Sequence, residues 1–152
     1  MNRPSEWPAG LLERVGGEFA VARELTRARR EGVDLSVALF EIAPLSEEIE
    51  LEKSIAHASD TLLKTIRQSD LPIRWSGREF VVVLPGLSRA VARTVAERVR
   101  AALQAAAHEG IAVAGIVTRL EGDESFGDVV SRARARARIT RGGAHSRIVE
   151  MN

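Results

Sequence analysis

Few residues in this chain of 152 have the types and spacing that chemistry needs. It contains no cysteine, which excludes disulfides, thiolate metal sites and thiol nucleophiles together. His57, His108 and His145 stand far apart, with no carboxylate spaced to join any of them in a metal site, and read as surface or helix-end residues. Charged groups gather in three places. Arg67-Gln68-Ser69-Asp70 sets a guanidinium and a carboxylate three residues apart, which at a helix end makes a local ion pair worth about 0–1 kcal/mol when exposed. Arg74-Trp75-Ser76-Gly77-Arg78-Glu79-Phe80 groups two arginines and a carboxylate around a glycine. Arg132-Ala-Arg-Ala-Arg-Ala-Arg138 alternates arginine with alanine and invites a nucleic-acid reading. On a helical wheel, however, Phe126, Val129, Val130, Ala133 and Ala137 form one stripe and the arginines spread over the rest. A solvated face is the expectation there, and a net charge of +1 argues against a polyanion partner.

Those groups need a scaffold, and apolar periodicity predicts one. Gly10 to Arg30 reads as a helix with Leu11, Val15, Phe19, Ala22 and Leu25 on one side, weakened locally by Gly16-Gly17. Leu35 to Ala43 is a mostly apolar run suited to a buried strand that Pro44 stops. Ser46, followed by Glu47 and Glu48, opens a second helix whose inner face carries Leu51, Ile55, Ala58, Leu62 and Ile66. Pro72 to Leu84 forms two strands around a tight turn at Ser76-Gly77-Arg78. A third helix runs from Ser88 to about Ala107, with Val91, Val95, Val99, Ala102 and Ala106 inward and Gly110 past its end. Ile111 to Val117 is another buried strand, Ser125 caps a last helix with Asp128 three residues on, and Ser146 to Val149 closes the chain as a short strand. Helices between strands imply right-handed crossovers onto one central mixed sheet containing a hairpin, an α/β (α+β) fold in one domain over residues 1–152. The longest apolar runs are far too short to span a bilayer, and Met1 to Pro8 lacks a signal core, so a cytoplasmic protein without membrane contact is expected.

The stretch Arg74-Trp75-Ser76-Gly77-Arg78-Glu79-Phe80 with the apolar strand up to Pro85 resembles the GGDEF domain of diguanylate cyclases, which has an Arg-aromatic dipeptide, Gly-Gly-Asp/Glu-Glu-Phe on a hairpin, and an apolar strand ending in proline. The resemblance extends over nearly the whole chain. Gly10-Leu11 with Arg14 and Phe19 sits at the family's Thr-Gly-Leu…Asn-Arg…Phe opening; Ala96-Glu97-Arg98-Val99-Arg100 matches Ala-Glu-Arg-Ile-Arg; Ala133 to Arg141 matches Ala-Asp-x-Ala-Leu-Tyr-x-Ala-Lys. It implies a nucleotidyl-cyclase-like fold.

Departures from the family pattern fall where its chemistry is done. The first hairpin glycine is Ser76, which puts a side chain where backbone approaches the GTP phosphates. The metal-binding acid is Arg78, a positive charge where magnesium and a triphosphate need carboxylates. Glu41 stands at the family's other metal-binding Asp, the guanine-pocket segment is missing after it, and the Asp and Tyr of the final helix are Arg134 and Arg138, with Arg141 left in place of a phosphate-binding lysine. From these losses the expectation is a degenerate cyclase that is not an enzyme, with no catalytic residues in Ser76, Gly77, Arg78, Glu79 and Phe80, and no Mg²⁺.

The family also carries an Arg-x-x-Asp inhibitory site for its product, cyclic di-GMP. Here that motif is Arg67 to Asp70, beginning nine residues before Ser76, with Arg98 at the family's second ligand-binding arginine. An arginine fork reads guanine O6 and N7, a carboxylate accepts from guanine N1 and N2, and a second arginine pairs with phosphate or stacks on the base. The resemblance therefore implies a cyclic di-GMP receptor acting through Arg67, Asp70 and Arg98, with ligand-promoted homodimerisation and an unidentified protein effector as output. The alternative is an interaction module on the same fold that needs no nucleotide.

Overall fold

The computed structural model describes residues 10–46, 51–107, 111–119, 124–141 and 148–150. Along the chain these form β1 (Leu12–Glu13), α1 (Arg14–Glu31), β2 (Leu35–Pro44), α2 (Glu52–Thr65), β3 (Leu71–Ser76), β4 (Glu79–Pro85), α3 (Arg89–Ala106), β5 (Ile111–Arg119), α4 (Phe126–Arg141) and β6 (Ile148–Glu150). Among the described residues the strands make one six-stranded sheet in the order β1-β3-β4-β2-β5-β6. The outer pairs β1–β3 and β5–β6 are parallel, and the inner pairs β3–β4, β4–β2 and β2–β5 are antiparallel. The crossover through α2 therefore passes over β4 and the one through α3 passes over β2. This is the mixed α+β fold expected, with β2 and β4 at its centre.

That central position explains why β2 and β4 read as unbroken apolar runs although their pairing is antiparallel. Alternate residues of each point to opposite faces, and both faces are covered. Ala38, Phe40 and Ile42 of β2 join Phe80, Val82 and Leu84 of β4 under Ile55, Ala58 and Leu62 of α2 and Ala92, Ala96, Val99 and Leu103 of α3. Val37 and Leu39 with Val81 and Val83 lie on the other face, under Val21 and Ala28 of α1 and Val129, Val130 and Ala133 of α4. The sheet is thus the middle of three layers. Among the described residues no helix is long and apolar enough to cross a membrane.

Several local expectations need correction. The buried stripe of α3 is Ala92, Ala96, Val99 and Leu103, and Val91 is exposed. Val99 is buried as expected, Val95 packs partly against the core, and Ala92, Ala96 and Leu103 fill the rest of the stripe. Leu12–Glu13 forms a two-residue edge strand on β3 where helix was predicted, and α1 starts at Arg14. Helix α2 begins at Glu52, later than Ser46; Glu47, Glu48 and Gly110 lie outside the described residues. Gly77 does not take a positive φ, so its turn makes no conformational demand for glycine. Gly17 carries a demand that periodicity missed: a Cβ there would come within 2.7 Å of the Ile73 side chain, whereas one on Gly16 would meet nothing within 4 Å. Ser88 and Ser125 cap α3 and α4 through Val91 N–H and Asp128 N–H, at 3.4 and 3.1 Å.

Candidate functional site

The end of the sheet where β2 leaves and the hairpin turns collects most of the unusual charges. Glu41 and Glu79 are directly opposed in the β2–β4 ladder, on the face that α1 and α4 cover. Arg134 reaches them from the middle of α4, donating from Nε to Glu79 Oε2 at 2.8 Å and from Nη2 to Oε1 at 2.6 Å. Ser76 Oγ donates to the same Oε1 at 2.6 Å. Glu79 is buried with its side chain 7% exposed, and Arg134 is 27% exposed. Its hydrogen bonds to Glu79, reinforced by the charges of Glu79 and Glu41, hold the Arg134 guanidinium above its ordinary pKa in spite of partial desolvation. Arg78 lies exposed at the turn beyond them.

The opposite face of the hairpin opens a cleft of about 680 Å³ between it and the first turn of α2, lined by Glu52, Lys53, Ile55, Arg74, Gly77 and Arg78 among others. Its volume lies within the range of small-molecule sites, and three of its lining side chains are cationic. Arg74 points to this side because its neighbours Ile73 and Trp75 point to the other. Its guanidinium donates to the carbonyls of Ser76 and Gly77 at 2.7 and 2.8 Å, bracing the turn, and lies 5.6 Å from the Phe80 ring centre. Burial lowers its pKa, and the nearby Glu13 carboxylate opposes that shift. Trp75 is packed, as its slot before the hairpin suggested: it meets Phe126 edge-on at 5.6 Å and takes Arg14 over its ring at 4.0 Å.

Arg67 and Asp70 sit where α2 ends and β3 begins. Asp70 accepts from the Arg67 backbone N–H at 2.8 Å and, through Oδ1, from Nε and Nη2 at 3.0 and 2.6 Å. Arg67 Nη2 also donates to the Pro85 carbonyl at 3.0 Å, tying the helix end to the end of β4. The side chain of Asp70 is 0% exposed and that of Arg67 is 38% exposed. This changes the part expected of Asp70. A carboxylate with no exposed surface is not placed to meet a guanine base directly, and here it orients Arg67. Arg98 is exposed on the outer side of α3.

In the arginine run, the solvated face holds only in part. Arg132 clasps Glu124 at 3.0 Å through two nitrogens and donates to Thr118 Oγ1, and Arg134 is committed to Glu79. Residue-by-residue reading missed both pairs. The signal available was charge reversal: an arginine on α4 where the resemblance implies an acid, with two acids retained across the sheet. The side chains of Arg138 and Arg141 lie outside the described residues, as do those of His108 and His145.

A family model for the diguanylate cyclase GGDEF domain matches residues 52–138, more than half of the chain. A curated relative, the diguanylate cyclase DgcP of Pseudomonas aeruginosa, is 31% identical over 136 residues; the match covers 82% of this chain and 20% of the relative, so the chain spans about a fifth of that protein. Among solved structures, the diguanylate cyclase SiaD of Pseudomonas aeruginosa in complex with its activator SiaC superposes with a TM-score of 0.83 at 20% identity, covering 97% of this chain and 62% of that one. The GGDEF domain of DgcB from Caulobacter crescentus, in complex with c-di-GMP, gives 0.81 at 17% identity, covering 99% and 95%. At those identities the two structures establish the fold. The expectation that the chain is not an enzyme is overturned by the family model and the curated relative, both of which are diguanylate cyclases. It rested on Ser76 and Arg78 at the hairpin, the guanine-pocket segment missing after Glu41, and Arg134 and Arg138 in the last helix; Arg78 is an exposed turn residue, and Glu41 and Glu79 are opposed on the adjoining strands. Matched by family model across its centre and by fold along nearly all its length, the chain belongs to the diguanylate cyclase GGDEF-domain family.

Proposed function

We propose that this domain binds cyclic di-GMP through Arg67 and Arg98, with Asp70 as the positioning residue, and passes the bound state to a protein partner. The observation that carries the reading is the held guanidinium of Arg67. Asp70 and the Pro85 carbonyl fix its orientation while more than a third of the side chain stays open to solvent. A pre-oriented arginine loses less freedom on binding than a mobile one, and its exposed face and Nη1 remain available to stack on a base and to donate. Cyclic di-GMP is the bound molecule in the DgcB structure, and a protein activator is the partner in the SiaD complex; both support the corresponding assignments here. A symmetric dinucleotide offers two guanines, so one ligand can engage two copies of the domain, which is the basis for ligand-promoted dimerisation.

Calorimetric titration with cyclic di-GMP at micromolar protein tests this. Heat is expected for the unmodified chain, and a loss of at least about tenfold in affinity for Arg67→Ala, which is about 1.4 kcal/mol. Absence of heat with the unmodified chain refutes the receptor reading. It would leave the nucleotide-independent interaction module, which is favoured by the outer face of α1, where Val15 and Phe19, one turn apart, are 52% and 73% exposed.

A further inference from the structure

Two carboxylates face each other across the β2–β4 ladder at Glu41 and Glu79, a placement in which like charges repel. The family pattern puts its divalent cation on acids at positions 41 and 78; in this chain position 78 is arginine, and the acid that faces Glu41 is the neighbouring Glu79, whose surroundings do not suit a cation. Both oxygens of Glu79 are engaged by the Arg134 fork, and one of them also accepts from Ser76 Oγ. Among the described residues no group of three or more His, Cys, Asp or Glu is placed to hold a metal ion. A hard cation such as Mg²⁺ demands an octahedron of oxygens near 2.0–2.1 Å, whereas Glu79 already gives one lone pair of each oxygen to the Arg134 fork and a second on Oε1 to Ser76, beside a guanidinium whose charge repels a metal ion. Arg134 satisfies the same charge with a planar fork that matches the carboxylate edge.

We propose that Arg134 is the resident cation of this centre: delivered from α4, its guanidinium takes the charge-balancing place of a divalent metal beside Glu79 and Glu41, and a metal ion gains the carboxylate pair only when that guanidinium is removed. The centre is separate from the Arg67 surface, and the inference stands or falls independently of cyclic di-GMP binding.

Thermal unfolding of the full chain with and without about 10 mM Mn²⁺ tests it, using the unmodified protein, Arg134→Ala, and Arg134→Ala combined with Glu41→Gln. The unmodified protein is expected to show the same midpoint with and without the ion. Arg134→Ala is expected to unfold at lower temperature without metal and to rise by roughly 5 °C with it, the response of a site that is nearly saturated. Adding Glu41→Gln should cancel that rise. An Arg134→Ala protein that folds but gains nothing from Mn²⁺ overturns the proposal. So does a Mn²⁺ spin-resonance titration in which the unmodified protein binds the ion more tightly than about 1 mM and Glu79→Gln removes that binding. The titration needs no arginine variant to fold, so it decides the matter if Arg134→Ala proves too unstable to purify.

Discussion

Asp70 illustrates how burial changes the part a residue plays. Its distance from Arg67 in the chain was enough to pair the two, because the end of a helix brings residues three apart within reach. That the carboxylate would be closed off was not readable, since burial is set by the packed molecule, in which Arg67 is also tied to the Pro85 carbonyl 18 residues further on. Removing the carboxylate leaves the Arg67 backbone N–H and two guanidinium donors without their acceptor. Asp70→Ala is expected to lower stability by about 1–3 kcal/mol in urea denaturation, with a weaker affinity for cyclic di-GMP as the secondary effect of a loosened Arg67. Glu79 and Arg134 are 55 residues apart, and nothing local to either announces the other. Arg134→Ala takes the bidentate counter-ion from a buried carboxylate that lies beside a second one, and should cost about 3–5 kcal/mol by the same measurement. Arg134→Ala combined with Glu79→Gln should recover part of that loss.

The elements themselves were largely legible, because β2, β4, α2 and α4 carry apolar patterns too regular to read otherwise. Errors arose where two faces of a helix were nearly equally apolar. In α3, Val91 and Ala92 compete, and the packed helix buries Ala92 and leaves Val91 exposed. Helix α1 holds a similar ambiguity in its two glycines. Propensity treats them alike at roughly 1 kcal/mol each, yet one lies against Ile73 and the other faces open space. Gly16→Ala is therefore expected to raise stability by about 0.5–1 kcal/mol, and Gly17→Ala to lower it by about 1–3 kcal/mol because the Ile73 side chain must move. Denaturant midpoints of the two single variants decide this; equal shifts in one direction would show that Gly17 does not mark a close approach. Gly77→Ala should be close to neutral, since the turn has neither positive φ nor a neighbour within 4 Å.

The molecule as a whole is one sheet with a hydrophobic cluster on each face, and the same two central strands supply both. Loosening either cluster must disturb the other through β2 and β4, so unfolding is expected to be a single transition. Leu103→Ala on one face and Val130→Ala on the other should each lower the midpoint, the leucine by about 2–5 kcal/mol in free energy. Trp75 fluorescence in a Trp7→Phe background, which reports the α1–α4 face, should coincide with far-ultraviolet circular dichroism in both variants; separate transitions would show that the layers melt independently. Read alone, the residues disclosed the order of helices and strands from α1 onward, the mixed sheet, the hairpin and the Arg-x-x-Asp corner, because each of these depends on periodicity or on neighbours within a few positions, but not the edge strand β1. Folding settled which charges meet. Glu41 and Glu79 become opposed only through strand register, and Arg134 reaches them only because α4 lies across that face. Electrostatic partnership acts through space and leaves no periodic trace along the chain, so the counter-ion of the carboxylate pair emerged only from the packed molecule.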